Sequence, residues 1–256
     1  MSDYKSILQD LEALNVSKAF PVFIPTHQRE VQFLPLTVKQ QKNIIKGSLD
    51  ASTSNAAFNK ITNDIIAENS VEDLEYLIID KVSILTGFRL QCLGSDIRIE
   101  DPKDDSIGYD INLQDHYETF KQHAVTPDLL ARDITHENIS AHIRVPDLNT
   151  DSKFTDDTKK SLEFTADDLT ETIGKLYVFE LAKFLGSITV GDRMIDLKTL
   201  SAPESISVIE SLPLSVSNDI VKFIESIREF EQKYNTVVID EKELELPIDA
   251  TFFNSP

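Results

Sequence analysis

The sequence predicts an α+β protein, with helical parts at both ends, small β-hairpins beside them and a β-rich insertion in the middle. Three observations predict this class. Apolar residues recur at helical spacing before Cys92 and again after Thr165. Between these regions, segments such as 96–100 alternate polar and apolar residues, as half-buried strands do. Near each end of the chain, two short apolar runs flank a polar turn, which is typical of a hairpin.

The composition disfavours nucleic-acid and membrane binding, and it suits a soluble protein or one with basic partners. The 256 residues are 41% hydrophobic and can therefore bury a sizeable core. The formal net charge is -19, and such a field repels nucleic acid and anionic lipid. No apolar run approaches the roughly 20 residues that a membrane helix needs. We therefore expect no nucleic-acid partner and no membrane span.

The pattern divides the chain into four segments. These are an N-terminal amphipathic helix over 1–19, a hairpin with three helices over 20–93, the β-rich insertion over 94–164, and helices with a closing hairpin over 165–256. The segments 20–93 and 165–256 are expected to form one domain. The first helix has its apolar edge at Ile7, Leu8, Leu11 and Leu14. A helix of this length is marginal alone in water, so it must dock on this chain or on a partner, or stay mobile.

The opening hairpin, predicted from strands at 22–24 and 31–34, leads directly into a helix. Thr37 can cap this helix, and Gln40 stands three residues on, at the spacing of a capping box. Helical spacing places Val38, Ile45 and Leu49 on one face, which we expect to point inward.

Lys39, Lys42 and Lys46 form a neighbouring stripe on the same helix. Charged residues beside an apolar face are commonly only a solvated flank. On a chain of net charge -19, the same stripe is also a candidate positive docking strip for a partner.

The remaining elements follow from the same patterns. Helices are predicted over 56–68 and 71–92, from 165 to Gly186, from 201 to Pro213 and over 217–234. A polar loop is predicted over 147–160, and a hairpin over 187–197 around Gly191.

The closing hairpin is predicted from strands at 236–239 and 244–248. Isolated hairpins are marginal, so the opening and closing hairpins could meet in one small sheet. Phe252 and Phe253 would then pack against that sheet or be offered to a partner. Alternatively, each hairpin packs separately on its own helices.

No nucleotide-binding or catalytic motif occurs in the chain. The nearest metal motif, at 147–151, matches the opening of a calcium loop, but Ser152 and Thr158 stand where Gly and Glu are needed. His136 and His142 could share a strand face without an evident third zinc ligand. We expect no cofactor. A calcium-binding module or metal-dependent enzyme built on the acidic middle third is the alternative to a protein-binding role.

Segments at both ends of the chain resemble a known protein family. FPVFIP at 20–25 and EVQFLPLTVKQQK at 30–42 are similar to the baseplate hub assembly proteins of contractile-tailed bacteriophages. FNKI at 58–61, IDK at 79–81 and LPIDATFF at 246–253 are similar as well. Residues 94–161 carry no matching motif.

The resemblance implies a protein of the phage baseplate central hub, either an assembly chaperone or a structural component, acting by protein–protein binding without catalysis. It implies other hub or tail proteins as partners, and a location in the cytoplasm of the infected host or in the virion baseplate. From the sequence pattern, the candidate partner-binding residues are Lys39, Lys42, Lys46, Phe252 and Phe253.

Overall fold

The computed structural model describes residues 2–48, 54–101, 104–163, 169–239 and 241–253. The predicted α+β class is confirmed, because helices and small antiparallel sheets occur along the described chain. The helices are α1 (Ser2–Val16), α2 (Val38–Ser48), α3 (Ser54–Asn69), α4 (Lys81–Leu93), α5 (Leu113–Phe120), α6 (Pro127–Leu130), α7 (Leu148–Glu163), α8 (Leu169–Phe184), α9 (Ala202–Glu210) and α10 (Leu214–Asn235).

The strands are short and pair with their neighbours in sequence. They are β1 (Phe20–Ile24), β2 (Arg29–Phe33), β3 (Asp96–Asp101), β4 (Asp104–Asn112), β5 (Ala131–His136), β6 (Ile139–Arg144), β7 (Leu185–Val190), β8 (Arg193–Asp196), β9 (Thr236–Ile239) and β10 (Lys242–Glu245). Short 3₁₀ turns cover Ile78–Asp80, Leu197–Thr199 and Ala250–Phe253.

The chain forms two compact units. Unit 1 comprises residues 1–75, 80–124 and 234–256, and unit 2 comprises residues 76–79 and 125–233. The predicted insertion over 94–164 is divided between them, because β3, β4 and α5 belong to unit 1 while residues 125–163 belong to unit 2. Most of the predicted segment 165–256 likewise lies in unit 2.

The core of unit 1 is built on the opening hairpin. Phe20 of β1 pairs with Phe33 of β2, which confirms the predicted hairpin. Phe88 of α4 makes edge-on ring contacts with both phenylalanines, at centroid distances of 5.8 and 5.6 Å. Gly87, the residue before Phe88, leaves room for Val22, whose Cγ2 lies 2.9 Å from where a Cβ on Gly87 would stand. The missing side chain thus allows α4 to approach β1 closely.

The prediction that the opening and closing hairpins share one sheet is wrong. In the described part of unit 1, β1–β2, β3–β4 and β9–β10 form separate two-stranded sheets. The free edge of β2 is already used, since Phe33 bridges to Ser70 and the Val71 amide donates to the Gln32 carbonyl. Lys242 at the start of β10 instead donates to Asp101 of β3, at 3.0 Å.

The helix predicted over 71–92 begins only at Lys81. The Val71 amide donates to the Gln32 carbonyl of β2, and farther along the Ile78 amide donates to the Pro146 carbonyl, so neither amide is available for a helical turn. The helix predicted from 217 begins at Leu214, directly after Pro213, and the second closing strand is Lys242–Glu245 rather than 244–248.

Unit 2 contains a four-stranded antiparallel sheet in the order β5-β6-β7-β8. Ile143, Leu185 and Ile188 are buried on it. Gly191 adopts a left-handed φ of 58° in the turn from β7 to β8, and the predicted hairpin over 187–197 is confirmed. Phe154 of α7 meets Phe179 of α8 edge-on.

The prediction of a loop over 147–160 is wrong, because this stretch forms α7. Asp147 precedes the helix and its carboxylate accepts hydrogen bonds from the amide and the hydroxyl of Thr150, at 2.7 and 3.0 Å. Leu148 and Phe154 then bury the inner face. The acidic cluster that looked like a loop is therefore a capped helix start.

Candidate partner-binding surface

The start of α2 is fixed by the predicted capping box. The Thr37 amide donates to Oε1 of Gln40 at 3.0 Å, and the Gln40 amide donates to Oγ1 of Thr37 at 3.3 Å. Nε2 of Gln40 also donates to Oδ1 of Asn69 at the end of α3, at 2.6 Å. The first turn of α2 is therefore held both locally and by a neighbouring helix.

The inner face of α2 differs from the predicted one. Ile44 and Gly47 are buried, whereas Val38 is 82% exposed and Ile45 is 36% exposed. A Cβ at position 47 would lie 2.6 Å from Cδ1 of Ile61, so the glycine allows α3 to pack closely. The prediction that Val38 and Ile45 point inward is wrong, and Leu49 lies outside the described residues.

All three lysines of the predicted stripe lie on the outer face of α2. Lys39, Lys42 and Lys46 are exposed, and none has an ion pair among the described residues. Helical geometry places them beside the exposed Val38 and Ile45 on one continuous stripe. We call Val38, Lys39, Lys42, Ile45 and Lys46 the α2 surface.

The chemistry of the α2 surface suits an acidic protein partner. Each lysine carries its charge at the end of a flexible apolar stem. The stem can cover an apolar area of the partner while the ammonium group reaches a carboxylate beside it. On a chain of net charge -19, this local cluster of positive charge can orient a partner as it approaches. Sequence reasoning placed the two apolar residues of the surface on the inner face, where the structure has Ile44 and Gly47 instead.

Phe252 and Phe253 lie in the 3₁₀ turn at 250–253, and both side chains are fully buried. Nη1 of Arg89 donates to the Phe252 carbonyl at 2.7 Å, and its guanidinium carbon lies 5.8 Å from the Phe252 ring centroid. Nε2 of Gln41 in α2 donates to the Phe253 carbonyl at 3.2 Å. The two aromatic rings therefore support α2 from inside and present no exposed side chain.

The acidic residues of the calcium-like motif contact lysines. Asp147 lies 3.3 Å from Nζ of Lys198, and Asp151 lies 2.9 Å from Nζ of Lys183. Both carboxylates are buried. Within the described ranges, no group of three or more His, Cys, Asp and Glu side chains is arranged to hold a metal ion.

The histidines singled out by the sequence each contact one carboxylate. His136 lies 2.8 Å from Asp219, and His142 lies 2.7 Å from Asp133. Cys92 is half-buried, and burial raises the pKa of its thiol, which disfavours the reactive thiolate. Both histidines therefore have a contact within the fold.

Comparison with known proteins identifies the family. A family profile described as T4 bacteriophage base plate protein matches residues 18–247, which covers β1 through β10 and most of both units. No curated protein and no solved structure matches the chain. Among the described helices, none has the length and apolar character needed to cross a membrane. The chain therefore belongs to the T4 bacteriophage base plate protein family.

Proposed function

We propose that this protein assists assembly of the central hub of a phage baseplate, as a chaperone or as a structural component. It acts by stoichiometric protein–protein binding, without catalysis and without a cofactor. Its partners are other hub or tail proteins, which it meets in the cytoplasm of the infected host, and it can remain in the virion baseplate. Membership of a baseplate family supports this role.

The α2 surface is the observation that carries the proposal. Three exposed lysines without ion pairs in the described chain lie beside two exposed apolar side chains, on a helix fixed at both its start and its inner face. A rigid, mixed apolar and charged patch is what a specific interface needs. The corresponding partner surface has an apolar strip with acidic residues along one side.

For the alternative, a calcium-binding module or a metal-dependent enzyme, the described residues of the calcium-like motif offer no supporting contact. Asp147 caps α7 and contacts Lys198, while Asp151 pairs with Lys183. A cation at this motif would have to displace both lysines.

The test replaces Lys39, Lys42 and Lys46 together by Gln. Exposed lysines contribute little to folding, so the melting temperature should stay unchanged. Affinity for purified hub and tail proteins identified by capture from infected cells should fall, and most strongly at low salt. Isothermal calorimetry at two salt concentrations measures both effects.

The matched control replaces Lys18, Lys222 and Lys233 by Gln, three exposed lysines outside α2. It changes the net charge by the same amount, so it should keep the wild-type affinity. Equal loss of affinity in both triple variants would show a general effect of net charge. Unchanged affinity in the α2 variant at low salt would restore the solvated-flank interpretation.

A further inference from the structure

The first helix, α1, exposes a row of large apolar side chains. Tyr4, Ile7, Leu8, Leu11 and Leu14 are 69%, 56%, 41%, 56% and 51% exposed. We call these five residues the α1 face. Residues 4, 7, 11 and 14 have the alternating spacing of three and four that forms the seam of a coiled coil. This spacing suits packing against another helix, knobs into holes.

Acidic residues border the α1 face on both sides. Asp10 stands at one edge, and Glu12 stands at the other edge together with Lys5, which lies one heptad earlier, so these three charges sum to -1. A helix that packs here therefore needs an apolar strip with basic residues beside it. α1 also ends before residue 18, where the match to the baseplate family begins.

A second copy of the chain fits this face poorly. Two copies would bring together two chains of net charge -19, with Asp10 and Glu12 close to the contact. The α2 surface offers basic residues but only two apolar side chains against the five of the α1 face.

We infer that the α1 face binds a basic amphipathic helix of a different protein. The acidic residues beside the face favour a basic partner, and the alternating spacing of three and four favours a helical one. This inference goes beyond the proposed function, because it rests on a second surface of opposite charge to the α2 surface. With both surfaces, one chain can hold two different components of an assembly.

The test uses the full chain and two labelled helical probe peptides. Both carry leucine at the a and d positions; one has lysine at e and g, and the other has glutamate there. Fluorescence anisotropy at physiological salt measures binding. The wild-type chain should bind the lysine peptide, while Ile7→Gln with Leu11→Gln should weaken that binding about tenfold or more. Both side chains are exposed, so the melting temperature should not change.

The control variant, Val190→Gln with Met194→Gln, removes two exposed apolar residues of β7 and β8 and should bind as the wild type does. Asp10→Lys with Glu12→Lys should shift the preference to the glutamate peptide. The triple lysine variant of α2 should leave peptide binding unchanged, which separates this inference from the proposed function.

Three results would overturn the inference. The first is equal binding of the lysine peptide by the wild type and by the Ile7, Leu11 variant, or no binding by either. The second is equal affinity of the wild type for the two peptides. The third is a concentration-dependent dimer in sedimentation that the Ile7, Leu11 variant abolishes, because the occupant would then be a second copy.

Discussion

Arg89 is 2% exposed, and its guanidinium is held by two carbonyls within unit 1. It donates to the carbonyls of Phe252 and Asp96 at 2.7 and 3.0 Å, and burial lowers its pKa without removing its charge. Arg89→Met would leave both carbonyls without these donors. We expect the free energy of unfolding to fall by about 2–4 kcal/mol, measured by urea denaturation.

Arg228→Met is the matched control for Arg89→Met. Arg228 pairs with Glu180 at 3.2 Å, but its side chain is 65% exposed. Surface ion pairs contribute little, so this variant should lose less than about 1 kcal/mol. If the two arginine variants were equally stable, Arg89 would not be what holds residues 250–253 in place.

His116 gives unit 1 a dependence on pH. Its Nε2 lies 2.6 Å from the Tyr234 carbonyl, which can only accept, so this nitrogen carries the hydrogen. Burial lowers the pKa of His116 below its usual value of 6.5. Because the unfolded chain then binds a proton more readily, stability should fall as the pH drops below 6.5 towards the folded-state pKa.

Chemical denaturation across this pH range measures the effect of His116. His116→Gln removes the titrating group, so its stability should depend less on pH between neutrality and the folded-state pKa than the wild type's does. Curves of the same shape for both proteins would mean that His116 titrates alike in the folded and unfolded chain.

At the scale of elements, Asp147 starts α7. It is 5% exposed, caps the helix through Thr150 and contacts Lys198. Asp147→Ala should therefore lower the free energy of unfolding by about 2 kcal/mol, the upper end of the range for a helix cap. Asn149→Ala, an exposed change in the first turn, should cost well under about 1 kcal/mol. Calorimetric melting compares the two, and equal losses would remove the capping role.

Elements with a local signal were predicted well. The opening hairpin, the capping box of α2 and the turn at Gly191 each depend on residues close together in sequence. α7 was missed because its cap and its few buried apolar residues look like an acidic loop.

Other features depend on partners far away in the chain. The residues before α4 pair with distant segments instead of continuing the helix, and the inner face of α2 depends on α3 meeting Gly47. The lysines of the α2 surface could be found from spacing alone, whereas Val38 and Ile45 could not. Hydrophobicity places such residues inside, and a glycine gives no apolar signal of its own.

At the scale of the molecule, the turn at 250–253 ties distant parts of unit 1 together. Stopping the chain after Asp249 removes Phe252 and Phe253, both fully buried, together with the carbonyls that Arg89 and Gln41 use. Burying two such rings contributes roughly 3–6 kcal/mol, so this truncation should lower the melting temperature of unit 1 strongly. Circular dichroism melting measures it.

Phe253→Leu keeps an apolar side chain in the same place. This variant should therefore keep most of the stability that the truncated chain loses. A truncated protein that melts as the full chain does, yet no longer binds hub proteins, would show that residues 250–256 serve a partner.

Unit 1 is assembled from three stretches of chain, with residues 125–233 made between the second and the third. Ribosomes add roughly 5–20 residues per second, so α2 is synthesised on the order of ten seconds before Phe252 and Phe253. During that interval Arg89 and Gln41 lack their carbonyl acceptors, and α2 lacks the part of its inner support that residues 250–253 supply. We therefore expect binding through the proposed α2 surface to be weaker in a nascent chain until residue 253 has been made.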